Sequence, residues 1–317
     1  MKRSHILLVS IFVVLVVGGV YLFRQFISAP ASFPAPYRLT IEEGQTLFSI
    51  SRELKRDNVI RSSRLFEIWM IALGTERTVS EGEYYFAKPL SSFEIALRIS
   101  GRQFGIERKK VTFPEGFTAK QMADRLAATF PGFDTTLFMT LAKGSEGYLF
   151  PDTYTFFPSV TPDVVVAILK RNFAEQLVPL EQRILTSGRK RADIITMASI
   201  IEKEADSADE MPIIAGILWK RFDKGMPLQV DAPFLYTLGK SSSELTRKDL
   251  TSNSPYNTYR NKGLPPTPIS NPGIDAITAA ISPTDSPYWY YLHDSDGVIH
   301  YASTYTEHKK NIARYLR

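Results

Sequence analysis

The chain has 317 residues, 44% of them hydrophobic, which is enough for two domains with cores of their own. It contains no cysteine, so a disulfide framework, a thiol nucleophile and cysteine zinc sites are all excluded. The formal charge of +5 is spread along the chain apart from short clusters such as Arg189, Lys190 and Arg191; it fits solvated surface charge or work near anionic lipid or acidic polymer, and does not argue for nucleic acid.

In chain order, residues 6–23 carry no charged side chain, follow Lys2 and Arg3 and precede Arg24. As a helix they would run about 27 Å, close to the hydrocarbon thickness of a bilayer. A cleaved signal peptide is the competing reading, because Ala29 and Ala31 form a small-x-small site. The length of the apolar run favours a retained anchor, with the basic amino terminus in the cytoplasm and the remaining chain outside it. Residues 1–27 are therefore read as cytoplasmic stub and transmembrane helix. Residues 28–36, SAPASFPAP, are read as an extended proline-rich tether.

Alternation predicts a strand over 37–41, a turn at Glu43-Gly44 and a helix over 46–54, followed by a helix over 63–73, a strand over 82–86 and a helix over 91–99. The strand, turn and helix recur 72 positions later: RLTIEEGQTLFSISREL from Arg38 aligns with KVTFPEGFTAKQMADRL from Lys110, sharing Thr, Glu, Gly, Thr and Leu. The glycine lets the chain turn, and Thr46 or Thr118 caps the helix that follows. Such modules resemble LysM-type domains, which bind N-acetylglucosamine polymers; the alternative is a compact α+β spacer. The first domain is placed at 37–105 and the second at 106–317. Helices are predicted over 119–129, 136–142, 163–177 and 211–224. From Leu228 onward, prolines and glycines predict loops and short strands, with a hairpin over 289–302 turning at Asp294 to Gly297.

The stretch ADIITMASIIEKEAD from Ala192 is predicted to be the central helix. At about 100° per residue, Glu204 falls on the side of Ile194, Met197, Ile200 and Ile201, whereas Glu202 points the other way, toward water. A carboxyl at the end of an apolar face is costly to ionise, so its pKa rises toward values useful for a general acid near neutral pH. The alternative is a solvated Glu204 paired with Lys203 or Arg221.

Four blocks, MASIIEKEA from Met197, PLQVDAPFLYTLG from Pro227, SPYNTYRNKGLPPTPISNPG from Ser254 and EGYLFPDTY from Glu146, together resemble the membrane-bound endolytic murein transglycosylases of the MltG or YceG-like family. The resemblance spans nearly the whole chain, and GLPPTPISNPG is its most distinctive part. It implies an α+β fold: a transmembrane helix, a small LysM-like domain, and a larger catalytic domain with a central catalytic helix and a C-terminal region of strands and loops. It further implies cleavage of the β-1,4 bond between N-acetylmuramic acid and N-acetylglucosamine inside nascent glycan strands. Glu204, the second glutamate of the triplet, would be acid and then base, with no cofactor. Peptidoglycan synthases would be its partners at the bacterial cytoplasmic membrane.

Substrate contacts are assigned more loosely to Gln229, Asp231, Ser254, Tyr256, Asn257 and Tyr259, which offer donors, acceptors and ring faces suited to acetamido sugars. Glu146 and Asp152, bracketing GYLFPD, either orient substrate or brace the fold. Trp289, Tyr290 and Tyr291 read as core and hairpin packing. Two rival readings stay open: a non-catalytic glycan-binding scaffold, and a hydrolytic muramidase using Glu204 with Asp231. Other chemistries lack their signatures. There is no HExxH and no G-x-S-x-G, and Gly239-Lys240-Ser241 has Phe234 where a phosphate loop needs its first glycine.

Overall fold

A computed structural model describes residues 12–20, 28–75 and 79–316. The predicted membrane segment lies largely outside the described residues. Within it residues 12–20 are helical (α1), and no helix among the described residues is long and apolar enough to cross a membrane. The fold is mixed α+β, and the chain divides into two compact units between Arg108 and Lys109.

The first unit holds β1 (Tyr37–Ile41), α2 (Leu47–Arg56), α3 (Ser63–Ala72), β2 (Gly82–Phe86) and α4 (Ser92–Ser100). The two strands pair antiparallel from Tyr37 opposite Phe86 to Ile41 opposite Gly82. Their alternation sends Leu39, Ile41, Tyr84 and Phe86 onto Ile50, Leu54, Phe66, Met70 and Ile95 of the helices, all buried. Each helix starts on a hydroxyl cap, Thr46, Ser62 or Ser91, and Ser91 forms a full capping box with Glu94.

The second unit begins by repeating the pattern: β3 (Lys109–Thr112), Gly116 at φ +73°, and Thr118 capping α5 (Ala119–Thr129). Its strand pairs antiparallel with β4 (Thr153–Phe156), and α6 (Thr135–Leu141) and α7 (Pro162–Leu177) close a core around Phe113, Met122, Leu126, Phe138 and Leu169. After the short α8 (Glu181–Thr186) comes α9 (Arg191–Glu204), the predicted central helix. Every residue from Ile194 to Ile201 is buried, so α9 is enclosed on all sides rather than along one stripe. Its isoleucines and threonine are indifferent helix formers, and packing against α10 (Met211–Asp223), α11 (Ala232–Leu238) and α13 (Ile274–Ile281) holds it instead.

The region after Leu228 is more helical than its prolines suggest. Pro233 sits in the first turn of α11, where its missing N–H costs nothing, and Gly239 ends that helix in the left-handed region at φ +68°. The short α12 (Arg247–Leu250) and α13 follow, then the hairpin of β5 (Tyr290–His293) and β6 (Ile299–Ala302) and the final α14 (Tyr305–Tyr315). The hairpin turn falls at Asp294 to Gly297, as predicted.

Candidate active site

The last turn of α9 carries Lys203 and Glu204 into a cleft of about 750 Å³. The cleft is walled by the segment Gln229 to Ala232, by Tyr259, by β5 and by α14. Glu204 is partly exposed, because it faces the cleft, yet protein surrounds its carboxyl. That burial pushes its pKa up to about 6, and the nearby Asp231 carboxylate adds to the rise. The Tyr291 hydroxyl, donating to Glu204 Oε2 at 2.8 Å, works against burial, as do the Ala232 backbone N–H and His293. The result is a carboxyl that is substantially protonated near pH 6 and can ionise when a proton is taken from it.

The neighbours are themselves held. Asp231 Oδ1 accepts a hydrogen bond from the Tyr259 hydroxyl at 2.7 Å. Gln229 has φ +55°, a strained conformation for a residue with a side chain, and its N–H donates to Thr258 O at 3.0 Å while Thr258 Oγ1 donates to Val230 O at 2.7 Å. Arg221 is only 5% exposed, so the alternative of a solvated pair between it and Glu204 does not hold. Its Nε donates to Trp289 O at 2.8 Å and its Nη1 donates to Leu228 O, strapping the hairpin to the 228–231 segment. His293, also in the cleft, lies 3.1 Å from Glu210 Oε2.

Of the residues assigned from sequence, Gln229, Asp231 and Tyr259 are brought together with Glu204; the others sit elsewhere. Asn257 is fully buried, and its amide donates to the carbonyls of Leu250 and Ser252 at 3.0 and 2.9 Å. Ser254 takes the Tyr256 N–H in a turn, and the Tyr256 hydroxyl is 2.8 Å from Thr267 Oγ1. Asp152 accepts from the Thr153 N–H and from Asn172 Nδ2. Glu146 accepts the Ala119 N–H at 3.0 Å, at the start of α5, and Asn271 Nδ2 at 2.8 Å; burial raises its pKa to about 7.

One expectation is corrected and one is extended. Glu202 does not face water: its Oε2 accepts the Gly273 N–H at 3.0 Å at the start of α13, and burial raises its pKa to about 7. Its side of α9 is covered by the 269–273 segment, whose Ile269 N–H donates to Ser199 Oγ at 3.0 Å. Tyr291 packs in the hairpin against the core as expected, and its hydroxyl in addition donates a hydrogen bond to Glu204. The signal that would have found it is the alternation in Tyr290–His293, which sends Tyr291 and His293 to one face of the hairpin. Among the described residues no group of three or more His, Asp or Glu side chains is arranged to hold a metal ion.

The YceG-like family model matches residues 39–314. The chain is 29% identical over 334 residues to a Bacillus subtilis protein named endolytic murein transglycosylase, covering 95% of this chain and 91% of that one. A Streptococcus pneumoniae protein of the same name is 25% identical over 341 residues; the alignment covers 94% of this chain and 62% of the length of that relative. A crystal structure of a yceG-like protein from Listeria monocytogenes superposes with a TM-score of 0.60 at 28% identity, covering 87% of this chain and 99% of that one.

Proposed function

The chain belongs to the YceG-like family, and from that premise we propose that it is a lytic transglycosylase that cuts peptidoglycan strands internally with Glu204 as its acid and base. The observation that carries the assignment is a single one: a carboxyl held near pKa 6 at the wall of a cleft large enough for sugar rings, with a hydroxyl donor behind it. Protonated Glu204 gives its proton to the glycosidic oxygen between N-acetylmuramic acid and N-acetylglucosamine as the C1–O bond breaks, and positive charge develops at the muramyl C1. The muramyl C6 hydroxyl then attacks C1, its proton passes to the Glu204 carboxylate, and a 1,6-anhydro ring closes. Water is not consumed and Glu204 ends as it began. A nucleophile already tethered in the substrate has a large intramolecular advantage, so one carboxyl suffices.

Gln229, Asp231 and Tyr259 are assigned to sugar contact, since they line the same cleft. The hydrophobic run of residues 6–23 is assigned to a cytoplasmic-membrane anchor and residues 28–36 to its tether, with the amino terminus in the cytoplasm. Residues 37–105 are assigned to a LysM-like domain, a reading supported by the β1–α2–α3–β2 order with its antiparallel strand pair, and 106–317 to the catalytic domain. An enzyme held there would meet nascent strands beside the synthases that make them.

Asp231 next to Glu204 favours one second reading, a hydrolytic muramidase in which Asp231 serves as the other carboxylate. Incubation of the full chain in detergent with uncrosslinked glycan strands, followed by mass spectrometry, separates the two. Anhydro ends support the transglycosylase, reducing ends the hydrolase, and bound but uncut glycan would overturn both.

A further inference from the structure

We propose that Tyr291 is a positioning residue for the reaction: its hydroxyl fixes the orientation of the Glu204 carboxyl and keeps the transferable proton on Oε1, away from the hairpin. The inference rests on the reading of Glu204 as the proton carrier and adds a partner to it.

The geometry points to this in three ways. First, Tyr291 Oη donates to Oε2 at 2.8 Å, and a phenol engaged with a carboxyl can remain the donor in both of its states. When Glu204 is protonated, Oε2 is the carbonyl oxygen and the acid proton belongs on Oε1. When Glu204 ionises, the same bond becomes charge-assisted and strengthens, so the tyrosine supports the product of the acid step and the starting state of the base step. Second, Tyr291 does not relinquish its own proton: burial and the adjacent Glu204 carboxylate raise its pKa well above the ordinary phenol value. Third, the ring cannot drift. Tyr291 packs against the core beneath α9, and its strand is tied to α10 by the bond from Arg221 Nε to Trp289 O.

The other groups that bear on Glu204 have different parts. Asp231, held by the Tyr259 hydroxyl, raises its pKa; His293, paired with Glu210, and the Ala232 backbone N–H lower it; Arg221 is engaged by backbone carbonyls. The Ala232 N–H stays in place in a side-chain variant and none of these side chains donates to Oε2 as Tyr291 does, so removing the phenol hydroxyl removes support for the ionised form and raises the pKa of Glu204 further.

The test compares the full-length wild type with Tyr291→Phe and Glu204→Gln, using uncrosslinked glycan strands across pH. Tyr291→Phe should lower kcat by roughly 10- to 100-fold, the size of a lost hydrogen bond to a charged group, with KM little changed. The alkaline limb of its pH profile should move to higher pH. In parallel, NMR of isotope-labelled glutamate carboxyls, assigned with Glu204→Gln, reads the Glu204 titration without turnover and should move in the same direction. A ring-fluorinated tyrosine placed at position 291 keeps the ring and makes its hydroxyl a stronger donor, so there the Glu204 titration should move to lower pH. Should Tyr291→Phe melt early, that protein still gives the answer. An unchanged Glu204 titration in the folded variants would overturn the inference even if Glu204→Gln is inactive. Full cleavage by Glu204→Gln would instead overturn the assignment of Glu204 itself.

Discussion

Glu202 and Glu204 leave the same turn of α9 about 200° apart, and the two sides of that turn use a buried carboxyl in different ways. On the Glu204 side the chain leaves a cleft of about 750 Å³ and supplies a side-chain hydroxyl. On the Glu202 side there is a backbone N–H, that of Gly273, at 3.0 Å, and the Glu115 and Asp275 carboxylates are close enough to raise the Glu202 pKa. Burial lifts both groups, to about 7 for Glu202 and about 6 for Glu204. A raised pKa therefore does not identify an acid catalyst by itself. What separates the two is access: one carboxyl meets space for a substrate, the other caps a helix.

The sharpest way to break this comparison is to neutralise each carboxyl in turn. Glu204→Gln should lower cleavage by about a thousandfold or more, since in the proposed mechanism one group performs both proton transfers, while the melting temperature stays close to wild type. Glu202→Gln should retain most of the activity, because the amide oxygen still accepts the Gly273 N–H. Initial rates on glycan strands, with a thermal melt of each variant, decide it, and equal losses in both would erase the distinction.

Asp231→Asn tests the cleft side further. Removing a negative neighbour lowers the Glu204 pKa, so the alkaline limb of the pH profile should move to lower pH, opposite to Tyr291→Phe, and cleavage at neutral pH should fall by roughly threefold to tenfold. Complete loss at every pH would favour the hydrolytic reading with Asp231 as second carboxylate.

The Glu202 side should show itself in stability. A carboxyl whose folded pKa lies above its unfolded value binds more protons when folded. Its contribution is thus complete below about pH 4.5 and is lost as pH rises through about 7. Melting of wild type and Glu202→Gln between these limits should show the wild type losing more stability with rising pH, by on the order of 1–3 kcal/mol. Glu146 titrates in the same range but is common to both proteins. Parallel curves would mean that Glu202 is not buried as described.

Much of the fold was legible in the sequence because its signals are local. The strands Tyr37–Ile41 and Gly82–Phe86 follow alternation, and Thr46 and Thr118 cap as their hydroxyls and spacing require. That Glu204 leaves the end of α9 on the other side from Glu202 was legible from helical periodicity, and the structure puts it at the cleft. The environment of Glu202 was not, because periodicity sees only the helix itself, and the cover comes from residues 269–273, some 70 positions away. The same limit explains the distinctive block PISNPG. Its Asn271 accepts the N–H groups of Gly147 and Leu149 and donates to Phe117 O and Glu146, so it knots three distant segments together and is absent from the cleft wall. Tyr291 reads as hairpin packing and does pack there; the alternation puts it on one face with His293, but that its hydroxyl serves Glu204 follows only once the hairpin is known to lie against the end of α9.

The smallest expected effect compares the two copies of the strand, turn and helix. Gly44 and Gly116 occupy the same place in each, at φ +78° and +73°, so alanine at either position should cost about 1 kcal/mol for the left-handed backbone. Around Gly44 a new Cβ meets open space, whereas at Gly116 it would lie 3.2 Å from Lys203 Cδ and 3.3 Å from Glu202 Cγ. These are flexible side chains, so the added cost at Gly116 should be only a few tenths of a kcal/mol. The functional consequence should still differ. Gly116→Ala pushes on the two residues that precede Glu204 and should lower cleavage by about twofold to fivefold, while Gly44→Ala leaves the cleavage rate unchanged. Matching rates for the two variants, measured beside their melting curves, would mean that the turn in the second unit only packs against the end of α9 and does not help to set where its last carboxyl stands.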